Sequence, residues 1–170
     1  LRPADSLTRA EMATILMRAL TAQSSVKIYP VSVNQSLYTA FTQSVEGYFA
    51  DGLKTGFGSA ITFKGYDEEG NPQFYGATDR GPSLDLPENA DIAKDYDAAK
   101  IFPVPDFTPS IGIITLKNGE AVVEESITLK NTNGTPLTGL PMPTGEQGAT
   151  GETALDINLQ ELGFDEEGFD

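Results

Sequence analysis

Residues 8–20, Thr-Arg-Ala-Glu-Met-Ala-Thr-Ile-Leu-Met-Arg-Ala-Leu, carry apolar side chains at helical spacing. Ala10, Ala13, Met17 and Leu20 fall on one stripe, which Met12, Ile15, Leu16 and Ala19 widen, so a short amphipathic helix is predicted there. Its start is marked by Thr8, whose hydroxyl can cap the first turn while Glu11 reaches back, the pattern of a capping box. A single short helix is not stable alone in water, so its stripe needs a packing partner, expected upstream of Leu1.

After a polar linker at 21–25 the period changes from helical to alternating. Val26, Ile28, Val31 and Val33, around Tyr29-Pro30, predict an edge strand interrupted by a proline that cannot donate to a ladder. Residues 60–64 and 73–77 alternate with period two, and 67–72, Asp-Glu-Glu-Gly-Asn-Pro, supply turn residues between them, so a hairpin is predicted. A second hairpin is predicted from 110–117 to 121–130 across Asn118-Gly119, a pair suited to the positive backbone angles of a two-residue turn. Residues 131–136 make a further turn. Between the hairpins, Pro82, Pro87, Pro103, Pro105 and Pro109 rule out any long regular element in 79–109, and 141–153 reads as a second loop. No clean internal repeat emerges, so a repeating architecture does not follow from periodicity alone.

The 17 glycines and 11 prolines fit this turn-rich, short-strand reading. Charge narrows the chemistry further. Acidic residues outnumber basic ones 25 to 11, and the net charge of -14 repels phosphate backbones and anionic lipid, which leaves nucleic acid out as a partner. The same carboxylates suit a hard cation such as Ca²⁺, or simply solvate an extracellular surface. Without cysteine or histidine the chain builds no Cys/His zinc site, no thiol nucleophile and no Ser-His-Asp triad of its own. No run approaches about 18 apolar residues, so no membrane span is predicted. The chain starts at Leu1 with no basic-then-apolar leader, and both ends are expected to be cuts in a longer polypeptide.

Pro3, then Thr8-Arg9-Ala10-Glu11, then a helix closing on Arg18-Ala19-Leu20 resembles the last helix of a surface-layer homology (SLH) module. The resemblance assigns residues 1–23 to the C-terminal part of such a module. It implies attachment to a bacterial cell-wall polymer and an extracellular place in the wall or surface layer. Four further segments, in order, resemble the N-terminal part of the phytase-like, esterase-like β-propellers: Gly56-Phe-Gly-Ser-Ala-Ile-Thr-Phe63, Thr78-Asp-Arg-Gly-Pro82, Ile101-Phe-Pro-Val-Pro-Asp-Phe-Thr-Pro109 and Gly134-Thr-Pro-Leu-Thr-Gly-Leu-Pro141. This second resemblance assigns residues 24–170. The expected fold class is therefore mainly β: a partial β-propeller, incomplete in this chain, preceded by a short N-terminal α-helix. A propeller needs at least four blades of about 40–50 residues, so the remaining portion is expected elsewhere, for instance as a separate chain left by proteolysis.

Thr78-Asp79-Arg80-Gly81-Pro82 is chemically the richest stretch. Arginine makes bidentate contacts with phosphate or carboxylate, and Asp79 can ligate a cation or orient Arg80; alternatively the two pair to fix the loop. Asp79 and Arg80 are thus the catalytic candidates, expected to face a cleft. Asp85, Glu88, Asp91, Asp95 and Asp97 crowd one loop without EF-hand spacing, and Asp165, Glu166, Glu167 and Asp170 form a second cluster flanked by Phe164 and Phe169. Each suits calcium or is a solvated acidic loop. Asp79, Asp85, Asp165 and Glu167 are the metal-ligand candidates, with calcium the expected cofactor and stabiliser of the fold. Gly56-Phe-Gly-Ser59 lacks the lysine and helix of a phosphate-binding loop, so its glycines fit a tight start to a strand. Two functions follow from the resemblance. One is a wall-anchored, calcium-dependent hydrolase of phosphate or carboxylic esters, in which Ca²⁺ bridges carboxylates and substrate and activates a water. The other is a binding or structural propeller of the surface layer without catalysis.

Overall fold

A computed structural model describes residues 12–14, 17–18, 26–41, 49–87, 96, 98–165 and 168. The chain divides into two compact units, Leu1–Pro30 and Val31–Asp170. In the first, residues 12–14 and 17–18 are helical, with Met12 and Met17 exposed. The capping pair Thr8 and Glu11 and the stripe residues Ala10, Ile15, Leu16, Ala19 and Leu20 lie outside the described residues. Among the described residues no helix is long and apolar enough to cross a membrane.

The second unit is mainly β, as the alternation predicts. Its strands are β1 (Val31–Val33), β2 (Ala60–Tyr66), β3 (Pro72–Ala77), β4 (Leu84–Asp85), β5 (Ala99–Ile101), β6 (Ser110–Lys117), β7 (Glu120–Thr128) and β8 (Thr153–Leu155), with a 3₁₀ turn at Gln35–Leu37. They form two mixed sheets, ordered β1-β7-β6-β3-β2 and β4-β5-β8. In the larger sheet β2, β3, β6 and β7 are successive antiparallel neighbours, and β1 joins β7 in parallel at one edge. Pro30 falls just before β1, where its missing N–H removes no ladder bond. The smaller sheet pairs β4 antiparallel and β8 parallel to β5.

Turn chemistry sets the registers. The β6–β7 hairpin turns on Asn118 and Gly119, with φ of 54° and 83°, the conformation of a type I′ turn whose twist matches that of the strands. Three other loops, 67–71, 131–135 and 156–160, share one plan. In each, the first residue exchanges backbone bonds with the fourth and fifth, and its side-chain oxygen (Asp67, Asn131 or Asp156) accepts from the N–H groups of the third and fifth. These bonds favour the ionised acids. The side-chain amide of Asn71 most of all holds Asp67 below the ordinary carboxylate range, and the N–H of Gln160 does the same for Asp156.

The fourth position of this loop requires positive φ, supplied by Gly70 at 83°, Gly134 at 93° and, unusually, Leu159 at 62°. An L side chain in that region costs about 1–2 kcal/mol, part of which a glycine gives back as extra chain entropy. Leu159→Gly is therefore expected to raise stability by about 0.5–1 kcal/mol, seen as a higher urea midpoint. A lower midpoint would show that packing of the half-buried Leu159 outweighs its backbone strain.

Glycines also shape the core. Gly76 and Gly112 face each other across β3 and β6, and the ring of Phe57 lies over this notch, where a Cβ on Gly112 would come within 2.6 Å of Phe57 Cδ1. Phe57 is buried, so the Gly-Phe-Gly-Ser stretch works chiefly through its phenylalanine; Gly56 and Gly58 stand in open space. A second cluster joins Phe102, Leu140 and Ala154, with Leu162 packed against it. At the outer edge β2 is almost wholly exposed: Ile61, Phe63 and Tyr66 face solvent, and a bulge between Phe63 and Gly65 shifts its register against β3.

Candidate functional site

The Thr78–Pro82 segment leaves the end of β3 and is tied at once to the start of β6. Thr78 is buried; its N–H donates to the Ser110 carbonyl (2.9 Å), and its hydroxyl accepts from the Ser110 N–H (3.0 Å). Asp79 is exposed, and its carboxylate accepts from the Arg80 N–H at 2.8 Å. The threonine anchor fixes the strand end, and Asp79 beside it lies at the surface.

Arg80 turns inward. Its Nη2 lies 2.6 Å from Glu152 Oε2, both side chains being about nine-tenths or less buried (14% and 15% exposed), and its guanidinium sits 5.5 Å over the Phe102 ring. Glu152 also lies 3.4 Å from Lys100 Nζ through its other oxygen, and Lys100 is 3.6 Å from Asp85, its cross-strand neighbour. Burial alone would push the Glu152 carboxyl up. The hydrogen bond and charge of Arg80, the Thr150 hydroxyl and the Lys100 charge outweigh it and hold Glu152 below the ordinary glutamate range. The outer Asp85–Lys100 pair is exposed on the acidic side and adds little. Arg80 therefore joins the exit of β3 to the approach of β8.

Three of the segments singled out by resemblance interlock around this arginine. Gly81, at φ 106°, passes the Phe107 ring so closely that a Cβ would meet Cδ1 at 2.5 Å. Gly139 passes the backbone of Arg80, where a Cβ would overlap the Arg80 carbonyl oxygen, and its N–H donates to Phe107 O at 3.2 Å. The residues that give these segments their character thus serve close backbone packing. Glu152, which completes the network, carried no local sequence signal, because it sits in a Gly- and Thr-rich loop far along the chain from Arg80.

Among the described residues, the metal-ligand candidates Asp79, Asp85 and Asp165 do not form one group. Asp79 is at the surface, Asp85 is paired with Lys100, and Asp165 accepts from the Thr138 hydroxyl at 2.8 Å. Glu167 lies outside the described residues, as do Glu88, Asp91, Asp95, Asp97, Glu166 and Asp170. Among the described residues no three acidic side chains come together in one group.

A hollow of about 280 Å³ opens elsewhere, between the 3₁₀ turn, the 104–108 segment and the ends of β6 and β7. Neither Asp79 nor Arg80 lines it among the described residues. Among the described lining residues eight bear hydroxyls, and Asp106 is the charged one. Scattered serines and threonines are too common to announce such a site in sequence. Compared with protein-family models, with curated proteins and with solved structures, the chain matches none.

Proposed function

We propose that this chain is part of a surface-anchored, phytase-like β-propeller protein that acts on phosphate or carboxylic esters. In this reading residues 1–23 end the wall-binding module and 24–170 begin the propeller. One observation carries it. The strands β2, β3, β6 and β7 form an antiparallel four-stranded run, the unit from which propeller blades are built; of the four resembling segments one leads into β2, two lie in the β3–β6 connection and one follows β7. Arg80 then acts as a positioning residue, holding the exit of β3 against Glu152 and Phe102. Calcium, which would offset the charge of a phosphate ester, is assigned to none of the described carboxylates.

A second reading, a surface-layer propeller that binds without catalysis, is favoured by the engagement of the Arg80 guanidinium by Glu152 and Phe102. Assays of the complete protein on p-nitrophenyl esters, phosphate monoesters and phytate, with calcium and with a chelator, separate the two. Turnover that falls on chelation is the expected result. No turnover on any of these substrates would leave the binding propeller as the better account.

A further inference from the structure

We infer that the hollow beside the 3₁₀ turn is a binding site for a neutral sugar unit. Its polar lining divides into a structural part and a part left open. The hydroxyls of Thr39 and Thr55 lie 3.1 Å apart, and Thr55 also donates to the Leu37 carbonyl at 2.6 Å, so this pair holds the wall together. The hydroxyls of Tyr38, Thr108, Ser110, Ser126 and Thr128 line the hollow and make no hydrogen bond among the described residues. Ser110 is itself buried, yet no buried side-chain polar atom lacks a partner, so its hydroxyl is reached by solvent at the hollow.

Strand register places three of these groups together. Ser126 and Thr128 are two apart on β7, and Ser110 lies directly opposite Thr128, so all three project from one face of the sheet. Hydroxyls both donate and accept, which matches a ligand whose own groups are hydroxyls. The apolar part of the lining, Leu37, Val104 and Phe107 with the ring of Tyr38, suits the C–H face of a pyranose. Charge decides against an anion. Asp106 is the charged member of the described lining, no arginine or lysine accompanies it, and the chain carries -14 overall. A volume of about 280 Å³ admits one monosaccharide unit and is too small for a larger drug-sized ligand.

The site does not depend on ester hydrolysis, so failure or success of the turnover assays leaves it where it stands. Saturation-transfer-difference NMR of the full 170-residue chain, with glucose, galactose, N-acetylglucosamine and N-acetylmannosamine in turn, tests it. At least one sugar is expected to give a signal, with a Kd on the order of 1 mM for so small a ligand. The double substitution Ser126→Ala with Thr128→Val should weaken binding by about fivefold or more, and Tyr38→Phe should also weaken it, with thermal midpoints unchanged. Inorganic phosphate should not compete. Absence of signal for all four sugars at about 50 mM, binding undiminished in correctly folded variants, or displacement by equimolar phosphate would each overturn the assignment.

Discussion

Replacing Gly139 by alanine is expected to destabilise the β unit by about 3 kcal/mol, among the larger effects of a single methyl group. The added Cβ would overlap the carbonyl oxygen of Arg80, and backbone cannot rotate away as a side-chain tip can. Either the Thr78–Pro82 segment or the Gly134–Pro141 segment must then move, and the Gly139 N–H bond to Phe107 goes with it. For a domain of this size the loss corresponds to a fall of about 6–12 °C in the thermal midpoint. A fall of less than about 2 °C would mean that the two backbones do not approach as closely in solution.

The second large effect is expected at Glu152. Glu152→Ala removes a charged hydrogen bond from the mostly buried Arg80 guanidinium, and the expected cost is about 2–3 kcal/mol. Contact with Phe102 and the remaining solvent access keep it below the full cost for a wholly buried charge. The effect should depend on pH in one direction. Because the folded state lowers the Glu152 pKa, its contribution is complete above the unfolded glutamate value and is lost as pH falls through the folded value. Urea midpoints of the parent and Glu152→Gln should therefore differ at pH 7 and converge below about pH 4.5. A gap that stays constant down to pH 3 would show that the carboxylate's charge is not what stabilises the fold.

Where local chemistry decides structure, the residues announced it. Asn118-Gly119 demanded a hairpin and makes one, and the turn residues of 67–72 close the other hairpin with Asp67 as the organising acceptor. The edge position of Val31–Val33 followed from its proline, although its parallel pairing with β7 did not, since a partner so distant in sequence leaves no local trace. The smaller sheet was illegible for the same reason. Strands of two and three residues show no periodicity, and β4 and β5 fall inside a stretch whose prolines forbid only long elements. At the candidate site the sequence drew attention to Arg80 but could not show its partner, because an ion pair across separate loops depends on their meeting in space. Asp79, adjacent in sequence, parts from Arg80 in direction, which a reading of neighbours alone does not reveal.

The exposed strand β2 would be a ready template for another chain if it were regular, since it offers apolar side chains beside a row of peptide groups unpaired among the described residues. Its bulge at Phe63–Gly65 breaks that row in the middle, and the extra residue there is Lys64, whose ammonium reaches Gln73. An incoming strand could follow the ladder only to the bulge before falling out of step. The edge thus remains sticky to side chains while being a poor seed for fibrils, so self-association through it should stay short and reversible.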